Sequence, residues 1–198
     1  VDPNTTDVGE EQSIPVDAQG NALLVWRKRT SAADTTTDSL RVFASYYDAS
    51  TKTWSEQTRI DNDTVRVRNL KAAMAPNGDA IAVWVAGPGT TGDVFADPSQ
   101  IKSAHFNGVT KTWEAPTRLD TQTGPADTPD VAIDADGDAI VAWTQLEDGV
   151  GTYQRIYVDR YVDGSFQTVE EIATQGDGQA QYPQVALNDA GQIVVVWE

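Results

Sequence analysis

The sequence predicts an all-β protein, an array of four-stranded antiparallel units, and three observations carry that prediction. Short apolar runs separated by Gly, Asp and Thr recur along all 198 residues, the rhythm of strands and turns. No window holds a sustained i, i+3, i+4 apolar pattern, so almost no helix is expected. The chain also repeats itself at intervals of 54 to 59 residues, which is how repeat architectures are written.

Four segments align without gaps: VDAQGNALLVW (16–26), MAPNGDAIAVW (74–84), IDADGDAIVAW (133–143) and LNDAGQIVVVW (187–197). Gly20, Gly78, Gly137 and Gly191 each precede a Trp by six residues, and the Trp-to-Trp spacings are 58, 59 and 54. A second phrase, TKTWSEQTRID at 51–61, returns as TKTWEAPTRLD at 110–120 with seven of eleven letters kept. Phe166 takes the place of its Trp in the third unit, so all six tryptophans fall on repeat positions.

Each unit reads as four strands. The first is a short apolar piece such as VAI at 131–133. A turn follows (DAQGN, APNGD, DADGD or NDAGQ) whose fourth-place Gly suits a tight hairpin, where one residue must take positive φ. The second strand is apolar throughout, ALLVW, AIAVWVA, AIVAW or QIVVVW, so both of its faces should be buried. The third alternates more: RVFASYY (41–47), IKSAHF (101–106) and RIYVDRYV (155–162). The repeated phrase supplies the fourth. In TWSEQTRI one face would carry Trp54, Glu56, Thr58 and Ile60 and the other Ser55, Gln57 and Arg59, an outer strand with one wet face.

A buried pair, a mixed strand and a half-exposed one describe the blade of a β-propeller. The expected blades run 10–61, 70–120 and 129–173, with a half-blade at 183–198, in one incomplete propeller-like domain. Three and a half blades do not close a ring of the usual four to eight. Either the natural chain continues or another chain supplies the missing strands, because the last strand would otherwise show an apolar edge.

The pattern P-x-V-A-[IL]-[DN]-x-x-G, an apolar strand ending in Trp, then I-Y-x-x-R-Y-x-[DN]-G spans Pro129 to Trp143 with Ile156 to Gly164, and its first part recurs in Pro183 to Trp197. It resembles the propeller-type repeats of large secreted bacterial proteins and, distantly, sialidase-type blades with Asp-box turns. The Asp box S-x-D-x-G-x-x-W sets a shorter Gly-to-Trp spacing than the six residues here, and its Ser or Thr is absent. The resemblance implies a propeller without implying glycosidase activity. It also implies a binding or scaffold module, secreted or on the bacterial cell surface or periplasmic face of the envelope.

Composition narrows the partners. Thirty acidic against fourteen basic residues give a net charge of −16, a field that repels phosphate backbones and anionic membranes, so no nucleic acid is expected. No apolar stretch approaches the ~20 residues of a bilayer span, so no membrane insertion is expected. With no Cys, disulfide and thiolate-metal chemistry are excluded. The start VDPN has no basic or apolar leader character and suggests a mature or trimmed product.

No catalytic constellation is legible, and a non-enzyme is expected. His105 aligns with Tyr46 and Tyr161 and reads as a packing aromatic; as the only His it leaves zinc or Ser-His-Asp chemistry without partners. Arg59 and Arg118 share one outer-strand position and read as solvated. Asp134, Asp136 and Asp138 in DADGD alternate as calcium ligands do. The position-6 Gly is Ala139, though, and the other units keep the Gly while varying the acids, so a hairpin turn is the better reading and no cofactor is expected. Variable loops on a rigid scaffold commonly carry binding. The candidate ligand residues are therefore those of the loops between second and third strands: Arg27, Arg29, Phe95, Asp97, Glu147, Asp148 and Tyr153. The expected partner is a protein or glycan at an envelope surface. Two rival readings are a self-assembling subunit whose open blade pairs with another chain, and a fragment of a carbohydrate-active, sialidase-like enzyme.

Overall fold

The computed structural model describes residues 11–30, 40–87, 99–120, 124–146, 153–173 and 178–198. Every regular element among them is a strand. The first sheet holds β1 (Gln12–Ser13), β2 (Ala22–Arg29), β3 (Leu40–Asp48), β4 (Thr53–Trp54) and β5 (Thr58–Arg59). The second holds β6 (Val67–Met74), β7 (Ala80–Ala86), β8 (Gln100–Asn107), β9 (Thr112–Trp113) and β10 (Thr117–Arg118). The third holds β11 (Ala126–Ile133), β12 (Ala139–Leu146), β13 (Gln154–Val162), β14 (Ser165–Phe166) and β15 (Glu170–Glu171). A two-stranded sheet, β16 (Gln184–Leu187) with β17 (Ile193–Val196), ends the described chain. Neighbouring strands are antiparallel and follow chain order from inner to outer edge, which is the meander of a propeller blade.

The turns obey the chemistry read from the sequence. Gly20, Gly78, Gly137 and Gly191 sit at φ +83, +94, +90 and +71°, the left-handed region. The residue three places earlier often caps the turn. Asp17 Oδ1 accepts the N–H groups of Gln19 (2.9 Å) and Asn21 (2.8 Å). Asn188 Oδ1 does the same for Ala190 and Gln192, both at 3.0 Å.

The outer strand differs from expectation. It is not one eight-residue run but two two-residue pieces, β4 and β5, or β9 and β10, bridged by a short out-of-ladder step. The break recurs with Gln57, Pro116 and Val169 at the equivalent place, so it belongs to the repeat, and it leaves Pro116, which has no N–H to give a ladder, outside the pairing. What the phrase conserves is a set of contacts. Trp54 packs on Tyr47 (5.2 Å between centroids), Trp113 on Phe106 (5.2 Å) and Phe166 on Tyr161 (5.0 Å). Arg59 and Arg118 are not simply solvated. Arg59 Nε and Nη2 donate to Asp61, and Arg118 Nε and Nη2 donate to Asp120. Asp61 Oδ1 also accepts Val42 N–H (2.8 Å), and Asp120 Oδ1 accepts Ile101 N–H (2.7 Å). Each Arg-x-Asp thus ties its outer strand to the start of the third strand.

The core lies between blades. Leu23 and Val25 of β2 meet Ala80, Ala82 and Trp84 of β7; Ile81, Val83 and Val85 meet Ala139, Val141 and Trp143 of β12. Ile140 and Ala142 meet the partly buried Ile193 and Val195 of β17. One blade's branched residues fill the space above the next blade's smaller ones, and Trp84 and Trp143 are fully buried there.

Register also corrects the place of His105. It lies opposite Ile81 as Tyr46 lies opposite Leu23, and the third-blade residue so placed, opposite Ile140, is Arg160 rather than Tyr161. Tyr161 is the counterpart of Tyr47 and Phe106. His105 does pack as an aromatic, stacked on Tyr161 of the next blade at 5.3 Å, just as Tyr46 stacks on Phe106 at 5.7 Å.

Candidate functional site

Antiparallel register brings the C-terminal ends of the second strands, the N-terminal ends of the third strands and the starts of the first strands to one end of the array. Six arginines stand there: Arg27 and Arg29 on β2, Arg41 on β3, Arg66 and Arg68 at the start of β6, and Arg155 on β13. On a chain of net charge −16 this concentration sets one face apart.

Much of that charge is engaged in framework. The Arg27 side chain is buried, with Nη1 donating to Val67 O (3.2 Å) and Nη2 lying 3.3 Å from Glu11 Oε1. Arg41 donates to the carbonyls of Leu40, Val65 and Thr64 at 2.7, 3.0 and 3.1 Å, pinning the connection from first to second blade. Arg155 Nη1 donates to Gly178 O at 2.8 Å, its guanidinium lies 5.2 Å from the centre of the Tyr153 ring, and its Nε lies 3.7 Å from Glu171 Oε1. Arg29 and Arg66 are half-buried and Tyr153 is 40% exposed, so these keep surface in contact with solvent.

Arg68 is buried like Arg27 and Arg155. Its Nη2 lies 3.3 Å from Asp127 Oδ2, and both side chains are buried. Asn69 Nδ2 also donates to Asp127, and Thr128 N–H donates to Asp127 Oδ1 at 2.7 Å. Arg68 Nε and Nη1 are buried without a hydrogen-bond partner. Next to them the inner strands are irregular. The ladder slips between Arg68 and Lys71 and again between Asp127 and Asp130, with Asn69 at φ +52° and Thr128 at +49°. Tyr182 takes φ +53° at the same repeat position ahead of β16. A β-branched or bulky residue in the left-handed region is strained, and strain of this kind gathers beside functional surfaces.

Of the residues named from sequence, Arg27 and Arg29 stand in the first blade and Tyr153 in the third, on the same end of the array but on separate sheets. Phe95, Asp97, Glu147 and Asp148 lie outside the described residues. The Asp134 carboxylate is occupied as a turn cap, its Oδ1 accepting Asp136 and Asp138 N–H at 3.0 Å each. Asp138 Oδ1 accepts Asp163 N–H at 3.3 Å. Among the described residues no three His, Asp or Glu side chains converge as a metal site. Sequence reasoning missed Arg41, Arg66, Arg68, Arg155 and Asp127; the available signal was that all sit at strand ends on one side of the meander.

Carboxylates nearer the framework are perturbed by place. Burial pushes Asp120 above the usual carboxylate range, outweighing the hydrogen bonds and charge of Arg118. Burial likewise raises Asp159, against the N–H groups of Gln167 and Arg160. Asp48, on an exposed turn, is lowered by hydrogen bonds from Ser50 and Thr51.

No protein-family model matches the chain, and no curated protein matches it. Solved structures do. A protein of unknown function from Dyadobacter fermentans matches over 98% of this chain and 63% of its own length, with 10% identity and a TM-score of 0.66. A Hadza microbial sialidase matches over 88% of this chain and 39% of its own, with 12% identity and a TM-score of 0.56. An α-L-arabinanase from Penicillium chrysogenum, complexed with arabinobiose, matches over 92% and 55%, with 14% identity and a TM-score of 0.54. The chain thus spans less than two thirds of the length of each. At such identities the likeness establishes the fold alone: an all-β, propeller-like array of antiparallel blades, distantly related in shape to sialidase and arabinanase propellers.

Proposed function

We propose that this chain is a non-catalytic binding module of propeller blades, secreted or held at a cell envelope, that engages a glycan across its arginine-bearing face. One observation carries the reading: an acidic chain gathers six of its arginines at the blade end where the variable loops begin and end. Arg29, Arg66 and Tyr153 supply half-exposed cationic and aromatic surface there, suited to carboxylated or sulfated sugars. That several solved structures of like shape carry the names of carbohydrate-active proteins supports a sugar over a protein as the ligand.

A glycan array containing neutral, uronate and sulfated polysaccharides tests the proposal. The expected result is retention on acidic glycans that weakens about tenfold in an Arg29→Ala, Arg66→Ala double variant and falls with added salt. Equal retention by wild type and variant would overturn it. A second reading, a piece of a carbohydrate-active enzyme, is favoured by the partial coverage of the matching structures. Turnover of fluorogenic sialosides or arabinosides by the 198-residue chain would replace the first reading with this one.

A further inference from the structure

We infer that the cleft between the outer strands of the first and second blades binds a neutral pyranose unit of a glycan, with Trp113 as its platform and Lys111 and Glu114 as its polar contacts. The inference stands apart from the acidic-glycan reading, since it concerns other residues, on the outer rim of the blades.

Two halves of the repeated phrase meet there. Residues 58–61 of the first blade and 111–116 of the second line a cleft of about 460 Å³, within the range of small-ligand sites. One copy of the phrase supplies TRID and the next supplies KTWEAP, so the cleft exists only where two blades adjoin. Its aromatic wall is held in place. Trp113 packs on Phe106 at 5.2 Å between centroids, and Phe106 also stacks on Tyr46 at 5.7 Å. Lys111 Nζ reaches back from the second blade to lie 4.5 Å from the centre of the Tyr46 ring.

Ion pairs leave the cleft without net charge. Asp61, whose side chain is wholly buried, accepts Arg59 Nε at 3.1 Å and Nη2 at 2.9 Å. Lys111 and Glu114 remain, one charge of each sign, and the Glu114 side chain is 59% exposed. That combination selects a chemistry. A neutral pyranose has a face of C–H groups for a π system and, around its edge, hydroxyls that both donate and accept. Half-buried Trp113 supplies the π face, Lys111 donates, Glu114 accepts, and the Thr112 hydroxyl does either. An acidic sugar would find the Arg59 charge already answered and a carboxylate facing its own.

The backbone adds a separate observation. The residue just before the fourth strand is left-handed in all three blades, Lys52 and Lys111 at φ +57° and Gly164 at +82°. Gly takes that conformation freely, whereas Lys111 is held at the cleft under strain. The third blade has Gly164, Phe166 and Gln167 where the second has Lys111, Trp113 and Glu114. Amine, indole and carboxylate are thus lost together there, and the second blade carries the site by itself.

The test titrates the 198-residue chain with the methyl pyranosides of glucose, galactose and mannose. It follows the Trp113 indole N–H in ¹H–¹⁵N spectra, assigned by its disappearance in Trp113→Phe. A saturable shift is expected with at least one of these sugars, with a Kd of about 1–10 mM that added salt leaves unchanged. Lys111→Gly, which gives this turn the third blade's own residue and relieves its strain, should weaken binding roughly fivefold, and Glu114→Gln roughly threefold. Trp54→Phe should leave binding unchanged, because Trp54 lines no part of the cleft. Absence of a saturable shift up to about 100 mM, full affinity in both Lys111→Gly and Glu114→Gln, or sensitivity to Trp54→Phe would each overturn the inference. Tighter binding of a methyl glucuronoside than of the methyl glucoside would overturn it as well.

Discussion

The second strands of the second and fourth sheets, β7 and β17, are written alike, AIAVWVA and IVVV, yet fare differently. Every residue of β7 is buried, whereas β17 alternates half-buried with exposed. Trp84 has no exposed surface; Trp197, at the same repeat position, is 39% exposed. The difference lies in what stands on either side. Apolar sequence makes a strand eligible for burial, and flanking blades complete it, as expected where each repeat touches only its neighbours.

This contrast should appear most strongly in the tryptophans. Trp84→Ala leaves a cavity between two blades and should cost about 3–5 kcal/mol, while Trp197→Ala should cost roughly 1 kcal/mol. Urea unfolding of both variants measures the gap, and equal losses would break the comparison. Glycines sharpen it. A Cβ on Gly108 would lie 2.4 Å from the backbone of Gly78, a turn of the same blade, whereas one on Gly191 meets nothing within 4 Å. Gly108→Ala should therefore cost roughly 1–3 kcal/mol from overpacking. Gly191→Ala should cost only the left-handed backbone term, about 1 kcal/mol.

The smallest effect is electrostatic. Burial raises Asp120 in the folded protein, so the native state holds that proton to higher pH than the unfolded chain does. Its contribution to stability falls as pH rises from the unfolded value of 3.8 through the raised folded one. The exposed Asp48, lowered by its turn, has the opposite slope: its contribution is present above 3.8 and fades as pH falls. Asp120→Asn should therefore gain on wild type as pH is raised across this window, read from urea midpoints. A difference independent of pH would show that the carboxylate carries no such penalty.

The tryptophan period, the Gly turns and the apolar second strands made the blades legible, because each is a signal with one physical meaning. The inner-strand bulges were not legible: Asn69, Thr128 and Tyr182 share a backbone state and no side-chain chemistry. The Arg-x-Asp ties at 59–61 and 118–120 were visible as letters, but an outer-strand arginine reads as solvated until its partner's burial is known. His105 was rightly seen as a packing aromatic, while its counterpart followed only from register. Of the candidate ligand residues, sequence located the end of the array that carries Arg27, Arg29 and Tyr153. It overlooked the wider arginine set because those residues come from strands far apart in the chain.

The inner strands of adjacent blades are stitched by side chains that reach across. Glu11 Oε2 accepts Leu70 N–H (3.1 Å), Ser13 donates to Ala72 O (3.2 Å), and Asp130 Oδ2 accepts Val185 N–H (2.9 Å). A backbone group on one repeat is thus satisfied only once its predecessor has taken shape. Growth of the array from either end carries its own inspection, since a misaligned newcomer would bury an amide with nothing to accept it.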